Sequence, residues 1–253
     1  MVRIAAEAQP CDSKLRAPRQ DMMSGNSIKK NTAASRLVGV VASPAALARA
    51  TRLRRPPDLF ELRLDALRHS LGKVTRAVPK LRAPLILTAR HPEEGGLGRL
   101  GPVARRALLE RFLEHAAFLD LELRSIREMK PLLRKARERH VGLILSWHDI
   151  HDTPARAELL RKTKSAAAAG AALFKIATRT DTPAQLARLI LFFETTRAPI
   201  PIAAMGMGKL GLASRRQLAQ LGSALTYVSL GEPTIEGQPS LSQLRRTRGA
   251  YSI

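Results

Sequence analysis

From residue 36 onward, short apolar or β-branched runs alternate with longer stretches in which apolar residues recur every three or four positions. The short runs are 37–42 (LVGVVA), 58–65 (DLFELRLD), 84–90 (PLILTAR), 117–123 (AFLDLEL), 141–147 (VGLILSW), 172–178 (ALFKIAT), 199–204 (PIPIAA) and 224–230 (ALTYVSL). The stretches 102–116, 124–139, 154–169, 183–197 and 211–221 have helical spacing, and a last helix is expected at about 239–248, short enough to fray. Asp152-Thr153-Pro154 and Asp181-Thr182-Pro183 place a capping residue and a proline where helices begin. Eight strands with interleaved helices predict an α/β fold, a single eight-stranded parallel (β/α)8 TIM-type barrel over residues 36–253. An open doubly wound sheet shares the alternation, but no glycine-rich nucleotide fingerprint follows the first run. The length of 253 residues suits one such barrel.

The pattern breaks where it carries information. Strands of a parallel barrel are covered on both faces and should read as continuous apolar runs. Yet Glu61, Arg63 and Asp65 alternate with Phe60, Leu62 and Leu64, so the three charges share one face of the second strand. Asp120 and Glu122 repeat this on the fourth strand, Thr88 and Arg90 on the third, and Ser146 and His148 on the fifth. Lys175 stands between Phe174 and Ile176 on the sixth. A buried charge must be paired or lie at a wet barrel mouth, and barrel enzymes carry their chemistry at the C-terminal ends of the strands. Glu61, Arg63, Arg90, Glu94, Lys175 and Arg215 together sum to +2, which predicts an anionic ligand.

Charge adds a rival. Forty-three Lys and Arg against 21 Asp and Glu give a formal net charge of +22, and such a surface attracts polyanions. The arginines, among them Arg52, Arg54, Arg68, Arg105, Arg111, Arg127, Arg137 and Arg161, are spread over many segments. One Trp and two Tyr leave few stacking platforms for single strands. They read as solvated surface, with no specific nucleic-acid partner. No apolar run reaches membrane-spanning length, so no membrane partner is expected. Residues 1–35 mix both charge signs without hydrophobic period and are expected to form a basic, disordered extension. The single cysteine, Cys11, excludes an intrachain disulfide or thiolate metal site and is consistent with a cytoplasmic protein. The histidines other than His148 have no nearby cluster of acids or cysteines, so no metal is expected.

A lysine among cations and partly desolvated holds a lowered pKa, and its free amine attacks ketones. The iminium that forms acidifies the adjacent carbon. A neutral histidine on the neighbouring strand can then remove that proton and later protonate a leaving hydroxyl. Lys175 and His148 are the candidates.

These segments resemble type I 3-dehydroquinate dehydratases, Schiff-base enzymes of the shikimate pathway, from about residue 36 to 245. Glu61-Leu62-Arg63-Leu64-Asp65 is similar to the family's E-x-R-x-D strand, and Thr88 through Gly96 to its T-x-R-x-x-x-E-G-G segment. Ser146-Trp147-His148-Asp149 with Thr153-Pro154 resembles the motif of the catalytic histidine, and Phe174-Lys175-Ile176-Ala177 that of the imine lysine. Met205-Gly206 with Gly211-Leu212-Ala213-Ser214-Arg215 resembles the region whose arginine holds a carboxylate, and Gly237-Gln238 the last substrate loop. The resemblance implies dehydration of 3-dehydroquinate without a cofactor, by a homodimer. Its catalytic residues would be Lys175, His148 and Glu94, and its substrate-binding residues Glu61, Arg63, Arg90, Arg215, Thr234 and Gln238. The chain departs from the family in that loop, where Thr234-Ile235-Glu236 replaces S/T-A-P. Glu236 brings a negative charge beside a loop that closes over an anion, and partial exposure of Glu236 is expected.

Two alternatives remain at this stage. A class I aldolase would use Lys175 to break a carbon–carbon bond, leaving His148, Arg90 and Arg215 unexplained. A catalytically dead, basic nucleic-acid-binding barrel would show salt-sensitive binding and no turnover.

Overall fold

The computed structural model describes residues 35–250. The expected extension over residues 1–35, with Cys11, lies outside the described residues except for Ser35. That residue belongs to the barrel, buried with its hydroxyl 2.8 Å from Thr226 Oγ1.

Eight parallel strands form one sheet: β1 (Arg36–Val41), β2 (Leu59–Arg63), β3 (Leu85–Thr88), β4 (Ala116–Glu122), β5 (Gly142–Asp149), β6 (Leu173–Arg179), β7 (Ile202–Met207) and β8 (Leu225–Ser229). Their order is β7-β6-β5-β4-β3-β2-β1-β8. The ends nearly close, since Ala224 N donates to Ile202 O at 2.9 Å. The connections carry α1 (Pro44–Ala50), α2 (Leu64–Leu67), α3 (Leu71–Ala77), α4 (Pro102–Phe112), α5 (Lys130–Glu138), α6 (Arg156–Ala168), α7 (Pro183–Thr195) and α8 (Gly211–Gln220), and α9 (Leu241–Ala250) ends the described chain. This is the expected barrel, not an open sheet.

Strand boundaries differ from the sequence reading for identifiable reasons. Strand β7 starts at Ile202 because Pro199 and Pro201 have no N–H for the ladder. Strand β2 stops at Arg63 and turns directly into α2, so Asp65 leaves the strand. Helix α7 begins as expected, with Thr182 and Gln185 forming a capping box and Pro183 in the first turn. Helix α6 does not start at Thr153. The Thr153 side chain is buried and donates to Arg179 O at 2.6 Å, tying the β5–α6 loop to β6, and the helix begins at Arg156 without a side-chain cap.

Alternation along each strand sorts the core into two parts. Outward residues such as Phe60, Leu62, Leu87, Leu121, Leu145, Phe174 and Val228 pack against the helices. Inward residues Val38, Leu59, Ile86, Ile144, Ala203 and Leu225 close the barrel floor. Above this apolar layer the inward positions become polar, and chemistry begins there.

Candidate active site

Inward-facing positions on five consecutive strands supply one connected network. Glu61 on β2 accepts from Thr88 Oγ1 on β3 at 2.8 Å. Arg90, two residues past the end of β3, points back into the barrel. Its Nη1 donates to Glu122 at 2.9 Å, Ser146 at 2.7 Å and Asp120 at 3.1 Å, and its Nη2 donates to Asp120 at 3.1 Å. Burial would lower its pKa, but Asp120, Glu122 and Glu61 drive it well above the ordinary value. Arg90 is thus held by the protein acids Asp120, Glu122 and Glu61.

Lys175 lies on β6 with Ser146 of β5 as its ladder partner. Its Nζ donates to Asp120 at 2.7 Å, sits 3.7 Å from Glu61 Oε1, and lies 4.6 Å from the centre of the Tyr227 ring. Burial, then the Arg90 charge, lower its pKa against the opposing pull of Asp120 and Glu61. Burial alone would raise Asp120, yet Arg90 and Lys175 hold it well below the usual carboxylate range, so it remains an anion.

His148, the penultimate residue of β5, has both its main-chain N (3.0 Å) and its ring Nδ1 (2.9 Å) on Glu94 Oε2. Burial, then Arg90 and Lys175, push its pKa well below the ordinary value, so the ring is neutral at pH 7. With Nδ1 donating to Glu94, the Nε2 lone pair is the basic one. Glu94 is placed by a short turn (Pro92–Glu94) that ends on Gly95 in the left-handed conformation. Gly96 follows because a Cβ there would lie 2.1 Å from Arg90 O. Burial, then Glu122, raise the Glu94 carboxyl to about 7.

Arg215, midway along α8, stands apart. It is buried at 5% exposure, and its guanidinium donates to Gly206 O (3.2 Å), Tyr227 O (3.3 Å) and Met205 Sδ (3.6 Å). Among the described residues it forms no ion pair, and burial lowers its pKa to about 10. The charge balance of the site differs accordingly from the expected +2. The half-buried Arg63 and the buried Arg90, Arg105, Lys175 and Arg215 face the acids Glu61, Asp65, Glu94, Asp120 and Glu122. The sum is zero with Glu94 ionised. Anion affinity therefore rests on one uncompensated guanidinium rather than on a general excess.

The remaining sequence candidates divide. Arg63 is committed to Asp65 by two hydrogen bonds of 3.0 and 2.9 Å and reaches Gly95 O at 3.3 Å. Gln238 is buried, whereas Thr234 is exposed, and its N and Oγ1 both bond Gln238 Oε1 at 2.9 Å. The loop lies down on the barrel mouth. Ile235 packs onto the inner apolar cluster, and Gly237 (φ +81°) approaches so closely that a Cβ would lie 2.6 Å from Gly211 Cα. Glu236, partly exposed as expected, pairs with Arg179 at 3.3 Å, so its charge is met by a cation.

Sequence reading missed four partners. Asp120 touches Lys175 directly, and Arg179 meets Glu236. Arg105 is not solvated surface; it is 1% exposed and links Ala89 O, Ser125 and Glu122. Its spacing with Leu109 and Phe112, the other buried residues of α4, was the available signal. Tyr227 falls on the inward parity of β8 and went unremarked.

A family model described as type I 3-dehydroquinase matches residues 40–252. The chain is 34% identical over 199 residues to a 3-dehydroquinate dehydratase of Desulfotalea psychrophila, covering 77% of this chain and 87% of that one. It is 34% identical to that of Shouchella clausii, covering 76% and 80%. Among solved structures, 3-dehydroquinate dehydratase from Geobacillus kaustophilus superposes with a TM-score of 0.76 at 25% identity, covering 87% of this chain and 93% of that one. The enzyme from Enterococcus faecalis gives 0.74 at 26%, covering 88% and 97%.

Proposed function

The chain belongs to the type I 3-dehydroquinase family, and from that premise we propose that it dehydrates 3-dehydroquinate to 3-dehydroshikimate through an imine on Lys175. The observation that carries the reading is the juxtaposition of a buried lysine of lowered pKa, a neutral histidine one strand away and a buried arginine without an acid partner among the described residues.

Each group has a task. Arg215 holds the substrate carboxylate, the one anion the site lacks. Lys175 Nζ attacks the ketone carbon, the carbonyl oxygen departs as water, and the iminium draws electrons from the adjacent carbon. His148 Nε2 takes the proton from that carbon. The carbon–oxygen bond to the hydroxyl on the carboxylate-bearing carbon then breaks as His148 returns the proton. Hydrolysis of the imine releases the enone and the amine, for a net loss of one water. Glu94 fixes the His148 tautomer, and Asp120 and Glu61 orient Lys175. Arg90 organises these acids, while Arg63 and Gln238 border the substrate ring and Thr234 holds Gln238 in place.

A steady rise in enone ultraviolet absorbance when 3-dehydroquinate is added is the expected result. Absence of that rise, with the protein folded, overturns the reading. Carbon–carbon cleavage products in its place would favour the aldolase alternative.

A further inference from the structure

Tyr227 lies in the centre of the barrel, on the inward face of β8, 4% exposed. Its ring abuts Lys175 Nζ at 4.6 Å, and its main-chain oxygen is 3.3 Å from Arg215 Nη1. The residue therefore spans the gap between the amine that forms the imine and the guanidinium that takes the carboxylate. Among the described residues its hydroxyl is the one buried side-chain polar atom without a hydrogen-bond partner. An unmet buried O–H is costly to maintain, and each such group in a folded protein calls for an explanation. Phenylalanine would fill the same space against the same neighbours.

Resting on the dehydratase reading, we propose that the Tyr227 hydroxyl is a substrate-binding donor whose acceptor is an oxygen on the carbon that carries both the carboxylate and the departing hydroxyl. A ligand stretched between Lys175 and Arg215 lies along this residue, whose ring meets the amine and whose main chain meets the guanidinium, and that carbon sits between the imine carbon and the carboxylate. The phenol is suited to donate. Burial, then Glu61 and Asp120, raise its pKa well above the ordinary value, so the proton stays on the oxygen. Two oxygens share the required chemistry, the carboxylate and the departing hydroxyl, and the product keeps only the first.

The test is Tyr227→Phe, which retains the ring against Lys175. The expected KM for 3-dehydroquinate rises about tenfold, the loss of one hydrogen bond to a ligand oxygen, with kcat within a few-fold. The melting temperature of the free protein is expected to stay level or rise, because no protein partner is lost. Product inhibition by 3-dehydroshikimate separates the two acceptors: weaker inhibition assigns the carboxylate, and unchanged inhibition with raised KM assigns the departing hydroxyl. Unchanged KM and unchanged inhibition overturn the proposal, as does a lower melting temperature with unchanged KM, which would make the hydroxyl structural. Wild-type protein inactive on 3-dehydroquinate would defeat the dehydratase reading itself. Active wild type with an indistinguishable variant defeats only the role of the hydroxyl.

Discussion

Replacing Arg215 with Met should stabilise or spare the fold while disabling binding, a combination that separates an anion receptor from a structural residue. At 1.36 kcal/mol per pKa unit, the fall of Arg215 to about 10 corresponds to about 3 kcal/mol of unfavourable charge burial. Because folded and unfolded states both remain protonated at neutral pH, this cost is constant from pH 5 to 8. It is relieved only as pH rises through about 10. Against it stand the bonds to Gly206 O and Tyr227 O, worth about 1 kcal/mol each. The net expectation for Arg215→Met is a gain of roughly 1 kcal/mol, or about 2–4 °C in Tm. Binding responds in the opposite direction. Removing the charged partner of a buried carboxylate costs about 2–5 kcal/mol, so KM should rise about thirtyfold or more. Melting curves with product make the contrast direct: ligand at 100 times the wild-type Kd stabilises wild type by about 2.7 kcal/mol, and a variant binding thirtyfold more weakly should keep no more than about 1 kcal/mol of it. A fall in Tm of several degrees with KM within threefold would refute the reasoning.

His148→Ala is expected to lower turnover by about 10²–10⁴ while leaving imine formation intact, and near-normal turnover would exclude it as the base. Since the His148 pKa is depressed, its own titration should limit activity only below the ordinary histidine range, near 6.5, so a rise of wild-type activity with pH around 7 should report Glu94 and be absent from Glu94→Gln. Glu94→Gln should reverse the His148 tautomer and cut kcat about a hundredfold or more. It should also change the stability profile. A carboxyl raised to about 7 gives its full stability below the ordinary value near 4.3 and loses it as pH rises to about 7. Wild type should therefore melt progressively lower across that window relative to the Gln variant, and parallel curves would contradict the buried, raised Glu94. Glu236→Gln should alter KM by less than about threefold, an effect that fades with salt, because the pair with Arg179 is solvent-exposed. A tenfold drop in KM would show that Glu236 faces the substrate instead.

The barrel was legible because alternation on parallel strands is a local property. Glu61, Thr88, Asp120, Ser146, His148 and Lys175 each announce the inward face by interrupting an apolar run, and the strands bring them together. Pairing is a different matter, set by tertiary contacts between residues far apart in the chain. Nothing near Arg90 in sequence shows how it divides its donors among Asp120, Glu122 and Ser146, or that Arg215 meets no acid among the described residues. The +2 site was miscounted for that reason. Arg105 was misplaced because arginine composition is dominated by surface positions, although its helical stripe placed it with Leu109 and Phe112. Glu236 looked like an unmet charge only because Arg179 lies 57 residues earlier. Strand ends slipped where backbone chemistry, such as the prolines before Ile202, outweighed side-chain pattern.

The central claim is the imine on Lys175, and its most direct measurement is reductive trapping. The full-length protein is incubated with 3-dehydroquinate and borohydride, then digested, and the peptides are weighed. The account predicts a single added ligand mass on the peptide that carries Lys175, retained in His148→Ala and lost in Lys175→Met. No adduct, or an adduct on Lys164 or Lys209, would contradict it.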